Sequence, residues 1–572
     1  MGESWFHREF LTPRRLVFNV LFYGAHFGLF AYGWNSQATN VKLAGLNTLK
    51  YSVWASRGAG LVLAFDGGLI LIPMLRNIIR VVRPKLTWLF PADENIWFHR
   101  QVAYSLAFWA MVHTTAHYVN FINVERTQIR KQTALQIHYT QPGGITGHFM
   151  LLIMLLMYTT AHKKIRNQCF EAFWYTHHLA FFFMLGLYTH ATGCFVRDSV
   201  DPDLIPTFPF YSTEHCLGYL SWRFIIWPGI IYFGERVWRE IRARKATRLS
   251  KVLVHPSGAM ELRIVKPSFK YTAGQWLFIQ IPELSRFQWH PFTITSAPED
   301  PYVSIHIRQV GDFTRALGDR LGVGPSDPQS GITRGDFVEL DPTVSSITLP
   351  QVRIDGPYGA PAEDVFNNEV AVLVGAGIGV TPFASILKHI WYRQRKGKLG
   401  SLRRVEFFWV CRDAPSFGWF QSLLQEVEAA QADRNIPILS MLFQPANFLR
   451  INVYLTQKIG EDMLWNIAVN DAGADYDPLT LLRSRTMFGR PDWKTIFGQM
   501  RQAIESGQYL PGSTSQLKTK VGTYFCGPGV LAKAIKEACV ENTGSTVEFS
   551  FAKVRHNCLL NPRSWLINFH LL

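Results

Sequence analysis

The sequence predicts a multi-domain membrane protein: a bundle of six transmembrane helices, then a small antiparallel β-barrel, then an α/β domain. Three observations carry this. Six apolar stretches, each near the ~20 residues that cross a hydrocarbon core, crowd the first 235 residues. Short strand patterns punctuated by Pro and Gly follow from Ser250 to about Asp355. A buried strand running into a glycine-rich loop and then a helix opens the last third. At 572 residues the chain exceeds one ordinary domain. Boundaries are expected at 1–240, 245–360 and 365–553, with an atypical tail at 554–572.

The six stretches run approximately Leu16–Trp34, Gly58–Leu75, Val102–Ile122, Gly144–Ala161, Ala172–Ala191 and Leu217–Phe233. Basic residues set their orientation. Arg14 and Arg15 precede the first; Arg76, Arg80, Arg83, Lys85 and Arg100 separate the second from the third. Lys163, Lys164 and Arg166 separate the fourth from the fifth, and Arg236 to Arg248 follow the sixth. Both termini are therefore expected in the cytoplasm, with the host membrane, plasma membrane or endomembrane, left open. The net charge of +16 is explained by this flanking placement, so no nucleic-acid partner is expected. The N-terminal run is too long for a signal-peptide core, and Phe6 stands where a myristoylation motif needs Ser or Thr. Seven cysteines without a CxxC pair indicate neither a zinc site nor a disulfide framework. Cys194 and Cys216 flank the acidic loop between spans five and six; an outer disulfide and two free thiols are both open readings.

An ionisable side chain inside a membrane helix is costly, so it is read as functional. The third span carries His99, His113 and His117, and the fifth His177, His178 and His190. Both spans enter from the same side, which sets His99 level with His177 and His113 level with His190. A 14-residue interval is ~21 Å of helix rise, enough to separate two stacked macrocycles. Imidazoles on both axial faces give haem suited to electron transfer. The 13 residues from His177 to His190 leave the second ring roughly 140° out of phase on an ideal helix, and His178 does no better. Either the fifth span is distorted, with Gly186 a weak point, or the haem planes are offset. Arg57 and Asp66, in and beside the second span, need partners: Arg57 either meets an outer haem propionate or a forming anion, or snorkels to the interface. His117 lies one turn beyond His113, where an outer haem edge would meet a small substrate.

In the soluble half, His290-Pro291-Phe292-Thr293-Ile294-Thr295-Ser296 sits among the strands, followed by His306-Ile307-Arg308 and Gly311-Asp312-Phe313-Thr314. The hydroxyls and Arg308 suit the ring and pyrophosphate oxygens of a dinucleotide. The strand from Glu369 to Val374 then enters Gly375-Ala376-Gly377-Ile378-Gly379-Val380-Thr381, whose glycines let backbone approach phosphate. Arg412 and Cys526-Gly527-Pro528 fall at strand C-terminal ends, where open α/β sheets bind ligands. Arg412 suits a 2′-phosphate and so favours NADPH over NADH. Cys526 is better placed to order nicotinamide beside flavin than to act as a nucleophile.

Assembled, these residues resemble the NADPH oxidase family, which contains the phagocyte superoxide-generating catalytic subunit. The carriers are FHRQVAYSLAFWAMVHTTAH, FWYTHHLAFFFMLGLYTHA, HPFTITSAPED, HIRQVGDFT, DGPYGAP, VGAGIGVTPFASIL, FFWVCRD, TMFGRPDW and YFCGPG. The chain is most like the fungal members without calcium-binding extensions, since no Asp-x-Asp-x-Asp-Gly loop is present. The resemblance implies a six-helix transmembrane haem bundle, an antiparallel β-barrel FAD domain and an α/β NADP-binding domain of ferredoxin-NADP reductase type. It implies two b-type haems, held by His99 with His177 and His113 with His190, and oxygen reduction near Arg57 and His117. FAD contacts are implied at His290, Pro291, Phe292, Thr293, His306, Arg308 and Thr314, and NADPH contacts at Gly375, Gly377, Gly379, Thr381, Arg412, Cys526, Gly527 and Pro528. It further implies a cytosolic activator, a Rac-like GTPase and a membrane companion subunit.

The resemblance breaks off at the C-terminus. The family carries an aromatic residue shortly after the last strand, where it stacks on the flavin; here Lys553 is followed by Val554-Arg555-His556-Asn557 and a tail to Leu572. Val-Arg is a dipeptide that a splice-donor sequence encodes, so the tail is read as a retained intron. The expected activity is NADPH oxidation with electrons passing through FAD and both haems to molecular oxygen across the lipid bilayer, giving superoxide. A transmembrane ferric reductase and a non-catalytic membrane scaffold are the rival readings.

Overall fold

The computed structural model describes residues 13–41, 44–86, 94–127, 132–190, 222–255, 259–323, 338–340, 348–412 and 448–554, apart from 141, 458–459, 472–473 and 511–517. It also describes Phe10 and isolated positions between 417 and 428. Cys194, Cys216, the acidic loop between them and the tail from Arg555 lie outside the described residues. The chain divides into two compact units between Arg239 and Glu240.

The first unit is helical. Among the described residues its longer helices are α1 Pro13–Ala38, α2 Tyr51–Leu69, α3 Arg76–Leu86, α4 Asn95–Arg126 and α5 Ala134–Thr140. They continue with α6 Pro142–Ala161, α7 Lys163–Gln168, α8 Phe170–His177, α9 Ala180–His190 and α10 Trp222–Ala243. Among the described residues, three stretches are long and apolar enough to cross a membrane by length and composition: Arg15–Ala38, Tyr51–Met74 and Gly143–Ala161. The other three expected spans differ from that pattern for visible reasons. The third lies in α4, whose 32 residues exceed a hydrocarbon core but include Gln101, Ser105, His113, His117 and Asn120. The fifth is split between α8 and α9. The sixth lies in α10, which carries Arg223, Glu235, Arg236 and Arg239.

The second span begins earlier than expected. α2 starts at Tyr51, so Arg57 stands inside the helix rather than before it. Phe22, Trp97, Phe98, Val102 and Leu106 form a buried cluster tying α1 to α4, and Ala59, Val62 and Trp109 form another between α2 and α4. Asp66 finds its partner on α1: His26 Nε2 lies 2.7 Å from Asp66 Oδ1, and His26 Nδ1 lies 2.5 Å from the Phe22 carbonyl. At 1% and 0% exposed the pair is fully withdrawn from solvent, which a lone carboxylate could not tolerate.

The second unit opens with the last turn of α10. Arg242 reaches Asp355 Oδ1 at 2.5 Å, and Lys266 Nζ donates to the carbonyls of Arg242 and Ile354, each at 3.0 Å. Burial pushes the Lys266 ammonium down to about 8. Seven strands follow: β1 Arg248–Val254, β2 Ala259–Val265, β3 Trp276–Gln280, β4 His290–Thr293, β5 Val303–Arg308, β6 Val338–Leu340 and β7 Arg353–Tyr358. They form two antiparallel sheets, ordered β5-β2-β1-β6 and β4-β3-β7, joined by a bridge between Ile294 and Ile305. Alternate residues of both sheets enter one core with Leu262, Ile279, Phe292, Ile305 and Ile354 at its centre. Phe313 and Leu317 of helix α11, Asp312–Arg320, close it.

The C-terminal sheet is parallel throughout, in the order β11-β10-β9-β8-β12-β13. Its strands are β8 Val370–Ala376, β9 Arg404–Cys411, β10 Leu449–Leu455, β11 Thr486–Phe488, β12 Thr519–Cys526 and β13 Val547–Lys553. The helices are α12 Thr381–Arg395, α13 Glu461–Asp471, α14 Trp493–Glu505 and α15 Gly529–Asn542. β8, β9 and β12 read as near-continuous apolar runs because both faces are covered. Strand order reverses between β8 and β12, the kind of position at whose strand carboxyl ends open α/β sheets bind ligands.

Candidate functional site

In the helical unit four of the histidines lie close together two by two. The rings of His99 and His177 have centroids 6.2 Å apart, and those of His113 and His190 are 6.1 Å apart. His178 points elsewhere: its Nδ1 bonds the Trp174 carbonyl and its side chain is exposed. The phase discrepancy is reduced by a break between α8 and α9, not at Gly186. His178 N bonds Tyr175 O, Leu179 N bonds Thr176 O, and Phe181 N bonds His178 O. Such i→i−3 turns advance about 20° more per residue than an α-helix, which rotates His190 back towards the face of His177. Gly186 instead admits Met150, whose Cγ would lie 2.7 Å from an added Cβ.

The ring nitrogens are sorted. His99 Nδ1 lies 3.1 Å from the Ile70 carbonyl, His113 Nδ1 2.8 Å from the Ser56 carbonyl, and His190 Nδ1 2.8 Å from Thr146 Oγ1. A carbonyl only accepts, so Nδ1 of His99 and of His113 carries the proton and Nε2 is left with its lone pair. His177 Nδ1 is buried without a hydrogen-bond partner. Two imidazole nitrogens on one iron, each at about 2 Å and each about 1.1 Å from its ring centre, place the centroids about 6 Å apart. The observed spacings therefore fit haem. Gly60 and Gly147 press on the outer pair: an added Cβ would stand 3.4 Å from His113 Cε1 and 3.2 Å from His190 Cε1. A cavity of about 590 Å³ is lined by Arg57, His113, His117 and His190 among others, within the usual range for bound small molecules and cofactors. Arg57 thus faces the cavity. His117 stacks edge-on to His113 at 4.5 Å.

Sequence reading missed several groups. Thr146, which bonds His190, is a helical threonine with no motif to mark it. Tyr118, His138 and His148 line the cavity and come from three helices, so no local pattern joins them.

In the antiparallel sheets, His290 opens β4 and stacks on Phe313 at 3.7 Å. Its Nε2 is buried without a partner, the mark of a site shaped for a polar ligand. Burial pushes this imidazole down to about 4. Pro291 and Phe292 continue the strand opposite Phe278 and Leu277. Thr293 is buried at the end of the same strand. His306 bonds Thr295 Oγ1 at 2.8 Å, and Arg308 projects, exposed, from the end of β5. Thr314 Oγ1 accepts from the backbone N–H groups of Val310 and Gly311 and donates to the Gly311 carbonyl, so its hydroxyl shapes the turn entering α11. His255, Glu261 and His306 each bring a ligand-type atom within 4.8 Å of the others. Arg263 holds the carboxylate at 3.0 Å. Burial works against the Glu261 charge, but the Arg263 guanidinium bonded to it helps hold the carboxyl below its usual range.

In the parallel sheet, the glycine loop and Cys526-Gly527-Pro528 meet at the reversal of strand order. Gly377 has φ +55, a left-handed conformation that glycine adopts without strain. A Cβ on Gly379 would fall 2.3 Å from the Cys526 carbonyl oxygen, so only glycine permits this approach. A Cβ on Gly375 would fall 2.8 Å from Val380 Cα, and one on Gly527 2.7 Å from Ala376 Cβ. Thr381 Oγ1 donates to the Ile378 carbonyl at 3.0 Å and starts α12. Cys526 is buried. Arg412 is exposed just past β9, on the neighbouring strand of the same sheet edge. Backbone N–H groups, a helix N-terminus and a guanidinium-bearing edge lie at one end of the sheet, an arrangement suited to a phosphorylated dinucleotide.

Comparison with known proteins agrees with this layout. Three family descriptions match in order: a ferric reductase like transmembrane component over residues 59–188, an FAD-binding domain over 244–362, and a ferric reductase NAD binding domain over 368–540. Together they define a membrane-bound, flavin-dependent oxidoreductase. Full-length relatives narrow it. A superoxide-generating NADPH oxidase heavy chain of Dictyostelium discoideum is 35% identical, over 90% of this chain and 91% of that one. NADPH oxidase 1 of Mus musculus is 31% identical over 94% and 92%, and NADPH oxidase 3 of Homo sapiens 32% over 85% and 87%. The chain belongs to the NADPH oxidase family. Among solved structures, a ferredoxin NADP+ reductase from Neisseria gonorrhoeae aligns at 13% identity and a TM-score of 0.29, covering 53% of this chain and 98% of that one.

Proposed function

We propose that this chain oxidises NADPH at its C-terminal sheet and passes electrons across a lipid bilayer to molecular oxygen, releasing superoxide. The observation that carries the reading is the two imidazole couples, with ring centroids 6.2 and 6.1 Å apart, whose His99 and His113 stand about four turns from each other on one continuous helix. His99 with His177 would hold an inner b-type haem and His113 with His190 an outer one. FAD, when bound, supplies the change from a two-electron donor to single electrons, and haem supplies reversible one-electron carriage.

The chain's own residues do the rest. The loop from Gly375 to Gly379 and the N-terminus of α12 receive the pyrophosphate, Arg412 neutralises the 2′-phosphate, and Cys526 with Gly527 and Pro528 orders the nicotinamide end. His290, Pro291, Phe292, Thr293, His306 and Arg308 hold the flavin, with Thr314 fixing the turn beside it. Backbone carbonyls on His99 and His113, and Thr146 on His190, leave Nε2 of each ring available to metal. Arg57 and His117 face the outer cavity, where a cation stabilises the anion as it forms. This reading uses six spans with both termini in the cytoplasm. The companion subunit, cytosolic activator and Rac-like GTPase follow from family resemblance alone.

An anaerobic reduction spectrum of membranes carrying the full chain tests the proposal. Two bis-imidazole haems are expected, falling to one when His113 or His190 is replaced by Ala. In air, NADPH-dependent dye reduction should be suppressed by superoxide dismutase. Full dye reduction in the presence of dismutase would support metal-chelate reduction instead, and absence of haem from the folded chain would end the reading.

A further inference from the structure

The outer cavity holds more titratable groups than electron delivery requires. Beyond Arg57, His113, His117 and His190, its lining includes Tyr118 of α4, His138 of α5 and His148 of α6. These three form one connected array. Tyr118 Oη lies 2.7 Å from His148 Nε2, and His148 Nδ1 lies 2.7 Å from the Gly144 carbonyl. His138 packs its ring 4.1 Å from Tyr118 and 5.4 Å from His148. Tyr139 stacks on the other side of His148 at 5.4 Å and is 61% exposed. The array therefore runs from the cavity to the surface.

The bonding fixes which way protons move. The Gly144 carbonyl only accepts, so His148 Nδ1 always carries a proton. Neutral His148 then accepts the Tyr118 hydroxyl proton at Nε2. Protonated His148 donates from Nε2 to the Tyr118 oxygen, which frees the Tyr118 proton for an acceptor in the cavity. One hydroxyl thus serves as a two-way relay between an imidazole near the surface and the space where reduced oxygen would form.

We infer that Tyr118 and His148, packed against His138, deliver protons to the outer cavity, so that the chain converts part of its superoxide to hydrogen peroxide before release. This rests on the reading of oxygen reduction at that cavity. The chemistry balances without an added oxidant or reductant. Superoxide takes the Tyr118 proton and becomes hydroperoxyl, while the His148 Nε2 proton moves to the Tyr118 oxygen and leaves His148 neutral. A second superoxide gives hydroperoxyl one electron and becomes dioxygen. One further proton, taken up by His148 from outer water and passed along the same route, completes hydrogen peroxide. Two superoxides and two protons yield one peroxide and one dioxygen.

The test uses the full chain in membranes with FAD and NADPH, and a saturating superoxide trap. Superoxide trapped and peroxide formed are both expressed per NADPH oxidised, so changes in overall rate cancel. In Tyr118→Phe and His148→Gln the peroxide share is expected to fall about tenfold or more, a modest part of the ~10²–10⁴-fold that a positioned proton donor contributes. In His148→Gly, imidazole in the outer medium should restore peroxide, a rescue that a packing role would not show. An unchanged peroxide share in both conservative variants, or no peroxide from the wild type in the presence of the trap, overturns the inference and leaves superoxide formation standing. NADPH oxidation with neither superoxide nor peroxide would overturn the underlying reading as well.

Discussion

His190 has its Nδ1 bonded to a side chain, Thr146 Oγ1 at 2.8 Å, whereas His99 and His113 rest on backbone carbonyls. A carbonyl survives any substitution; a hydroxyl does not. Thr146→Val keeps the shape and removes the bond, so His190 loses the group that fixes its ring. If the outer pair holds haem as proposed, its retention should weaken by roughly 10–100-fold, the usual cost of removing a partner behind a metal ligand. The measurement is haem per chain against dilution, where one haem should wash out early and the other, between His99 and His177, should remain. Equal retention of both haems would show that Thr146 does not orient the ligand. The paired histidines were legible in sequence because an ionisable group in an apolar run is costly and so stands out. Thr146 was not, since a helical threonine costs little. Nor was His26, which answers Asp66 from 40 residues away.

At the scale of elements, strands and glycine loop were legible from local pattern, while two helical features depended on neighbours. The start of α2 at Tyr51 was hidden because Ser52, Ser56 and Arg57 lower the hydropathy of its first turns. The break between α8 and α9 left a trace as the phase mismatch of His177 and His190, but its position did not, because the 3₁₀ bonds fall where no glycine or proline marks them. The antiparallel sheets carry a consequence of their own. Burial pushes His255 down to about 3, with His306 beside it adding to the shift, and pushes His306 down as well. Unfolded imidazoles take their protons near pH 6.5, whereas these stay neutral in the fold until much lower pH. Between those values the unfolded chain binds more protons, so stability is complete above about 6.5 and is lost as pH falls. Each such imidazole contributes a slope of about 1.4 kcal/mol per pH unit. Unfolding of the soluble half within the full chain, followed by tryptophan fluorescence between pH 7 and 5, should show that slope, and His255→Gln should reduce it by one proton's worth. A stability independent of pH over this range would contradict the burial of these rings as neutral groups.

For the whole molecule, the proposed topology rests on the basic residues between and after the apolar runs, within a net charge of +16, and would put the nucleotide-binding half on the electron-entry side of the bilayer. If electrons leave from the opposite face, each one crosses alone, because the proton released from NADPH stays behind. Every turnover therefore charges the membrane, and a potential of 100 mV opposes each further electron by about 2.3 kcal/mol. Sealed vesicles with the nucleotide side outward should begin oxidising NADPH at full rate and then slow as the potential builds. A protonophore should restore the initial rate by letting protons follow the charge, and the same compound should do nothing to detergent-solubilised protein. This separates transmembrane transfer from oxygen reduction on the nucleotide side, where flavin alone would pass electrons to oxygen. In that case no potential develops, the rate in sealed vesicles stays constant, and the stacked imidazole pairs would need another purpose.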